Sequence, residues 1–280
     1  MRVGIDIGGT TIKAGLVSGK KIHKKTEILT EAGKGRKKVV QNIISAIESV
    51  FDKRVEGIGV GFAGLFENGK IMKSPHIPSL NGFDIKKHLQ KRFHKKVSAY
   101  NEVKCAALAE AKYGAGKGYK NIVMITIGTG IGGGVIADGK LYKGKGNACE
   151  VGHTTINFKG RKSSCCNNHG CFEEYVSTRG LQRSYCKKIN PKEIEELAKK
   201  GDKKAIQAYK EFGRNLGVGI NNIANFYDPD IIIVGGGIAR SWELFEKEMH
   251  RMIKERGLMK TKLARAKLND GGIIGATLLK

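Results

Sequence analysis

The chain has 280 residues, 40% of them hydrophobic, and its 51 lysines and arginines against 26 aspartates and glutamates give a formal net charge of +25. This length allows a large core divided between two lobes, and the lack of any run of 18 apolar residues argues against a membrane span. The first residues, MRVGIDIGGT, lead directly into a strand pattern without the apolar stretch of a secretory signal, so we expect a cytoplasmic protein.

The basic excess would attract polyanions, including nucleic acids and phosphorylated ligands. The lysines are spread over separate segments, among them SGKKIHKK, LAKKGDKK and KLARAKL, rather than gathered in one arm. This distribution is typical of a generally basic surface. We therefore expect no dedicated nucleic-acid partner.

Strands and helices alternate through the first 115 residues. The predicted elements are a strand at 2–7, a second strand through Val17, a hairpin turn at 18–20, a helix at 37–51, a strand at 56–61, a helix at 84–93, a strand at 97–101 and an alanine-rich helix that ends at Gly114. The helix at 37–51 is predicted from apolar residues that recur every three or four positions. The segment GLFENGK, after the strand at 56–61, predicts a loop.

The pattern starts again at residue 121 with a strand, a glycine loop, another strand and a hairpin turn at ADGK. Helices are then predicted at about 172–187, 191–199 and 202–226, followed by a buried strand within 230–237, a helix at about 241–256, a strand near 262–268 and a terminal helix from Gly271.

The strand–glycine loop–strand unit therefore occurs twice, at 3–17 and at 123–137. Such a duplication predicts two related α/β lobes. We expect a smaller lobe of residues 1–115, which the C-terminal helix at about 270–280 joins, and a larger lobe of residues 116–269.

Three glycine-rich loops follow strands, and the densest, IGTGIGGG at 127–134, has five glycines in eight positions. Inside a strand or helix each glycine costs roughly 0.5–1 kcal/mol relative to alanine, so such a cluster suggests that a ligand approaches the backbone. Phosphate groups are the usual ligands of exposed N–H groups. The candidate cofactor-binding residues are Asp6, Gly8, Gly9, Thr10, Thr11, Gly128, Thr129, Gly130, Gly132, Gly235 and Gly236.

In their order along the chain, DIGGTTIKAGLV, ITIGTGIGGGVIADGKLYKG, NFYDPDIIIVGGG and NDGGIIGA resemble the two phosphate motifs, the adenosine segment and the closing helix of the ROK (repressor, ORF, kinase) family. The resemblance covers essentially the whole chain. It implies the α/β class with the two-lobed actin-like ATPase (ribonuclease H-like) fold, a nucleotide and sugar cleft between the lobes, and ATP used with Mg²⁺ near Asp6. A homodimer is also expected.

The segment CEVGH at 149–153 is similar to the family's sugar-binding motif E-x-G-H. Carboxylates, amides and imidazoles suit sugar hydroxyls, which both donate and accept hydrogen bonds. By this resemblance, the residues expected to contact a sugar are Asn81, Asn101, Glu150, His153 and Glu173.

A zinc site is expected in the loop that follows His153, where SCCNNHGC brings three cysteines together. Family members have C-x-C-G-x-x-G-C-x-E, whereas here Ser164 stands at the first cysteine position. We expect a shifted loop in which a structural zinc ion is bound by His153, Cys165, Cys166 and Cys171, with His169 or water as alternatives for one position. Free cytosolic thiols are the other interpretation.

The family's catalytic motif N-D-x-N is replaced by Asn101-Glu102-Val103-Lys104. Glu102 keeps the carboxylate of the general base but is one methylene longer. Three interpretations stay open: a base on a shifted backbone, an engineered substitution, or a weak enzyme. For Lys104 we favour a helix-surface position over a contact with phosphate.

The leading function is an ATP-dependent kinase that phosphorylates a hexose, with glucose at its 6-hydroxyl as the first choice. An N-acetylmannosamine or N-acetylglucosamine kinase is the alternative within that class. A catalytically impaired sugar- and ATP-binding protein is the alternative outside it, because of Glu102. A sugar-sensing repressor of the family would carry a helix-turn-helix before the first phosphate strand, whereas this sequence starts at that strand, so we do not expect a repressor.

Overall fold

The computed structural model describes residues 1–164 and 166–279. The strands are β1 (Arg2–Ile7), β2 (Thr11–Ser18), β3 (Lys21–Leu29), β4 (Gly57–Phe62), β5 (Leu65–Glu67), β6 (Lys70–Lys73), β7 (Lys96–Asn101), β8 (Ile122–Ile127), β9 (Ile131–Ala137), β10 (Lys140–Tyr142), β11 (Ile231–Gly235) and β12 (Lys262–Arg265). The α-helices are α1 (Gly35–Val50), α2 (Ile85–Phe93), α3 (Glu102–Tyr113), α4 (Phe172–Tyr175), α5 (Thr178–Tyr185), α6 (Pro191–Lys199), α7 (Lys203–Tyr227), α8 (Trp242–Arg256) and α9 (Gly271–Ala276).

These elements form two compact units. The first contains Met1–Gly118, Gly134–Ala148 and Lys267–Lys280, and the second contains Tyr119–Gly133 and Cys149–Ala266. None of the helices among the described residues has both the length and the apolar character needed to cross a membrane.

The first unit is built on a five-stranded sheet of order β3-β2-β1-β4-β7, in which β1, β4 and β7 run parallel. One face packs against α1, where Val3, Ile5 and Ile43 belong to a single buried cluster. On the other face the backbone of α9 lies directly on the strands. A Cβ at Gly4 would be 2.0 Å from the carbonyl oxygen of Ile273, so this close packing requires glycine.

The second sheet has the order β10-β9-β8-β11-β12, with β8, β11 and β12 parallel. The boundary between the units falls within β9. In the second unit the long helix α7 packs along α8, and Tyr209, Phe212 and Phe245 are fully buried, with the rings of Phe212 and Phe245 in contact. Burying aromatic side chains of this size supplies much of the hydrophobic stabilisation of such a core.

The prediction of one helix over 172–187 is wrong, because α4 ends at Tyr175 and α5 begins at Thr178. Between them the Ser177 side chain accepts a hydrogen bond from the N–H of Gly180, which caps a new helix instead of continuing the first. The predicted loop GLFENGK is in fact the hairpin β5–β6. Its turn residues, Asn68 and Gly69, have φ of 51° and 88°, the positive values that a two-residue type I′ hairpin turn requires.

Candidate functional site

The first glycine turn lies between β1 and β2 and is fixed by backbone hydrogen bonds. The Gly8 N–H donates to the Thr11 carbonyl at 3.0 Å, and the Thr30 hydroxyl donates to the Gly8 carbonyl at 2.7 Å. Asp6 precedes this turn at the end of β1. The turn is therefore a rigid element with a carboxylate beside it.

The pKa of Asp6 is raised to about 6. Burial is the main cause, the nearby Lys13 lowers the value, and the negative charge of Asp270 raises it again. Asp270 is itself paired with Lys25, whose Nζ lies 2.6 Å from Oδ1 of Asp270. A cation bound at Asp6 would favour the charged form of this carboxylate.

The loop from Gly128 to Gly130 connects β8 to β9 and is held on both sides. The Gly128 carbonyl accepts hydrogen bonds from the Thr178 N–H at 2.8 Å and from the Thr178 hydroxyl at 3.1 Å. On the other side, Oε2 of Glu173 accepts the N–H of Ile131 at 2.9 Å. A Cβ at Gly128 would meet no atom within 4 Å, so there is open space beside this glycine, whose own N–H donates to the Gly130 carbonyl at 3.0 Å.

Gly235 and Gly236 lie where β11 ends. Gly236 has φ of 92°, and a Cβ on it would be 2.3 Å from the carbonyl oxygen of Ile127. The positive φ and the close approach of the Ile127 carbonyl require glycine at position 236. Gly236 therefore has a structural role. Contact of these glycines with a nucleoside stays a prediction.

Asn101 and Glu102 lie at the start of α3. The Asn101 side chain accepts the N–H of Val103 at 2.9 Å and so caps the helix. Glu102 is the first helical residue, and a Cβ on Gly61 of the neighbouring strand would be only 3.4 Å from its Cα. The cap and this contact together fix the backbone from which the Glu102 carboxylate projects.

The prediction that Lys104 is a helix-surface lysine is wrong. Lys104 is only 1% exposed, and its Nζ donates to the carbonyl oxygen of Gly146 at 2.9 Å. The adjacent Asn147 pairs with the backbone of Phe66 through both ends of its amide, at 2.9 and 3.1 Å. A buried ammonium group requires such a partner, so Lys104 anchors the segment that follows β10.

Asn81 also belongs to the first unit, and its side chain is partly committed to the protein. Its Oδ1 accepts the N–H of Ser74 at 2.8 Å. The backbone carbonyl of Asn81 accepts a hydrogen bond from Arg36 at 3.1 Å. The amide is therefore oriented, and its contact with a sugar stays a prediction.

Glu150 and His153 lie together in the second unit, with Oε2 of Glu150 3.9 Å from Nε2 of His153. Both side chains are about one-third exposed. Glu173 differs, because it is buried and its carboxylate contacts the glycine loop through Ile131. The structure thus gives Glu173 a bracing contact that its predicted role in sugar binding did not include.

Three predicted zinc ligands lie together. The ligand atoms of His153, Cys166 and Cys171 all lie within 4.8 Å of one another, and the two sulfurs are 3.6 Å apart. Two thiolates that share a tetrahedral zinc at bond lengths of about 2.3 Å would be roughly 3.8 Å apart. This donor set and spacing fit zinc. Cys165 lies outside the described residues, and this group of ligand atoms does not include His169.

The loop around this cluster is organised by hydrogen bonds rather than by the cysteines alone. Asn168 donates to the carbonyl of His153 at 3.1 Å. Glu174, which is 3% exposed, accepts the N–H of Ser164 at 3.0 Å and is paired with Arg183. Burial alone would raise the pKa of Glu174, but the hydrogen bonds from Ser164 and the charge of Arg183 outweigh it and lower the pKa to about 2.

The two cysteines of the cluster have different pKa values. A hydrogen bond with Ser163 is the main cause that lowers the pKa of Cys166 to about 7, whereas burial raises the pKa of Cys171. A thiol that ionises near neutral pH is ready to bind a metal, because the thiolate is the ligand.

Residues that brace the second glycine loop were missed by the sequence analysis. Thr178 and Arg179 lie some 50 residues after the loop, and no spacing rule links them to it. The only usable signal was Ser177, a helix-capping residue type within the long predicted helix.

Each of the two five-stranded sheets has a glycine-rich turn beside a carboxylate. This arrangement is typical of α/β proteins with phosphate-binding loops. The ROK family profile matches residues 2–280, and the chain belongs to the ROK family.

Individual relatives agree with this assignment. A glucokinase of Thermotoga maritima is 31% identical over 98% of this chain and 95% of its own length. An N-acetyl-D-glucosamine kinase of Photobacterium profundum is 30% identical over 100% of this chain and 99% of its own. The structure of a ROK family glucokinase from Streptomyces griseus, in complex with glucose and AMPPNP, superposes with a TM-score of 0.87 at 29% identity, covering 99% and 98% of the two chains. The predicted actin-like ATPase fold is confirmed.

Proposed function

We propose that this chain is an ATP-dependent sugar kinase that transfers the γ-phosphoryl group of ATP to a hexose, with glucose and its 6-hydroxyl as the first choice. The observation that carries the proposal is the shared sheet edge of Asp6 and Glu102. Asp6 is the last residue but one of β1 and Glu102 directly follows β7, with only β4 between these parallel strands. Strand spacing therefore separates their backbones by about 10 Å.

That spacing suits phosphoryl transfer, which depends mainly on positioning and on neutralising charge. Glu102 would accept the proton of the attacking sugar hydroxyl as the general base. Asp6 would orient a hydrated Mg²⁺, whose charge offsets that of the phosphates. Each of the glycine turns, after β1 and after β8, would offer backbone N–H groups to phosphate oxygens.

In this proposal the residues that would contact the sugar are Asn81, Asn101, Glu150, His153 and Glu173. The match to a glucokinase supports glucose, and the match to an N-acetyl-D-glucosamine kinase keeps an N-acetylhexosamine as the second candidate. We also propose that the two compact units correspond to the two lobes expected from the sequence, with bounds near residues 115 and 270 and with Gly134–Ala148 added to the first lobe.

A structural zinc ion is part of the proposal. His153, Cys166 and Cys171 would bind the zinc ion, which would cross-link the loop and take no part in the reaction. The loop carries two of the proposed sugar-binding residues, His153 at its start and Glu173 just after Cys171. Its order therefore sets the positions of both side chains.

We further propose a homodimer in the cytoplasm. Phe158, Phe226 and Leu258 of the second unit are 89%, 69% and 82% exposed, and each would gain stabilisation from burial against a second copy of the chain. Among the described cysteines, Cys105, Cys166, Cys171 and Cys186 form no disulfide, as is usual in a reducing compartment. Light scattering coupled to size-exclusion chromatography should give twice the mass of the chain.

The kinase proposal is tested by ADP release measured without sugar and with glucose, N-acetylmannosamine or N-acetylglucosamine. We expect sugar-dependent release, with the highest kcat/KM for glucose. A higher kcat/KM for an N-acetylhexosamine would move the substrate to the second candidate. No sugar-dependent release, despite binding of ATP and sugar, would replace the kinase with an impaired binding protein.

The raised pKa of Asp6 predicts how Mg·ATP binding depends on pH. Below a pKa of about 6 the carboxyl becomes protonated, so at pH 5 only about a tenth of it remains charged. The ratio of Mg·ATP affinities between the wild type and Asp6→Asn should fall about tenfold from pH 7 to pH 5. The Asn variant corrects for the titration of ATP itself. A constant ratio over this range, measured by calorimetry, would contradict the role of Asp6.

A further inference from the structure

Helix α5 begins beside the second glycine loop. Its first residue, Thr178, donates two hydrogen bonds to the Gly128 carbonyl. Arg179 follows directly, and its Nη2 lies 3.6 Å from Oε1 of Glu173. The other oxygen of Glu173 accepts the N–H of Ile131 in the same loop. Arg179 is therefore connected to the glycine loop in two ways. Its neighbour Thr178 is hydrogen-bonded to Gly128, and Glu173, which lies beside Arg179, is hydrogen-bonded to Ile131.

The guanidinium group of Arg179 is poorly satisfied by the protein. Its Nε is buried and has no hydrogen-bond partner among residues 1–164 and 166–279. The contact with Glu173 is longer than a hydrogen bond. An arginine has five N–H donors, and buried donors in native proteins are nearly always paired. The side chain is nevertheless 39% exposed, so a ligand can reach part of it.

Other arginines of the same unit are paired in the ordinary way. Nε of Arg214 donates to Oε2 of Glu248 at 2.8 Å, with 41% of its side chain exposed. Arg183 donates to both the backbone and the carboxylate of Glu174. Arg179 differs from both because its Nε has no partner among the described residues, and it lies next to a loop with open space beside Gly128.

We propose that Arg179 binds the phosphates of the donor nucleotide. This assignment rests on the proposed kinase function and adds to it a cation beside the glycine loop of the second unit. The planar guanidinium matches phosphate oxygens with two parallel hydrogen bonds. Glu173 holds one edge of that group, which leaves the remaining donors for the ligand.

The test compares Arg179→Met and Arg179→Lys with the matched control Arg214→Met. Calorimetry with the full chain should show that Arg179→Met weakens Mg·ATP binding about 10- to 100-fold. Adenosine affinity should stay within about twofold of the wild type, because adenosine does not carry the phosphates. Arg179→Lys should lose less Mg·ATP affinity than Arg179→Met, because lysine keeps the positive charge but lacks the planar guanidinium group. Arg214→Met should bind Mg·ATP with the affinity of the wild type.

Three results would overturn the assignment while leaving the proposed kinase function in place. Unchanged ATP affinity in Arg179→Met would do so. An equal loss for ATP and adenosine, or an equal loss of ATP affinity in Arg179→Met and Arg214→Met, would show a merely structural role. A wild-type protein that binds no ATP would instead overturn the proposed function, and the assignment with it. Arg179→Lys keeps the test valid if the methionine variant does not fold.

Discussion

Replacing Glu102 with alanine is expected to lower kcat by about 10²- to 10⁴-fold, the usual cost of removing a general base. The affinities for sugar and Mg·ATP should change little, because α3 keeps its cap from Asn101. Steady-state kinetics together with calorimetry would separate the two effects. Glu102→Gln serves as the control for shape, since it keeps the length of the side chain and removes the basic oxygen.

Glu102→Asp tests whether this chain is built for glutamate. The cap from Asn101 and the contact with Gly61 fix the backbone, so a shorter side chain draws the proton acceptor back by about one C–C bond. A misplacement of about 1 Å can cost 10²-fold in rate. We therefore expect the aspartate variant to be slower than the wild type. Equal kcat in the wild type, Glu102→Ala and Glu102→Asp would mean that this carboxylate is not the base.

Removing one zinc ligand is expected to have the second-largest effect. Cys171→Ser should reduce the zinc content from about one ion per chain to nearly none, because three described ligands leave no spare thiolate. Sugar affinity should fall as well, since Glu173 follows Cys171 by two residues and His153 is itself a proposed ligand. Elemental analysis and sugar calorimetry on the same preparation measure both quantities.

Cys186→Ser is the matched control for this experiment. Cys186 belongs to the same unit and is exposed at the end of α5, outside the group of ligand atoms. It should keep its zinc and its sugar affinity. The zinc proposal fails if the wild-type protein contains no metal, or if Cys171→Ser loses zinc while sugar binding and activity stay unchanged.

Local patterns predicted much of the fold, because several elements carry their own signals. Helix α1 was predicted within two residues from its apolar spacing, and α6 from Asn190 and Pro191 at its start. The β5–β6 hairpin was missed although Asn68-Gly69 is a strong turn signal. Its strands have only three and four residues, too short for the alternation of apolar residues to be evident.

Features that depend on distant parts of the chain were not predictable. Lys104 lies among alanines and a cysteine in a helix, and the carbonyl that pairs with its ammonium group comes from Gly146, 42 residues later. The bonds from Thr178 to Gly128 cross 50 residues. Burial of a lysine and bracing of a loop are tertiary effects, and periodicity along a single helix carries no information about them.

The most direct test of the kinase proposal is to identify the product. The wild-type chain would be incubated with Mg·ATP and glucose, and the sugar would be analysed by mass spectrometry and by phosphorus-31 NMR. We predict a hexose that has gained one phosphate group at its 6-hydroxyl, formed in amounts equal to the ADP released, and formed far more slowly by Glu102→Ala. ATP consumption without any phosphorylated sugar, from glucose or from either N-acetylhexosamine, would contradict the proposal.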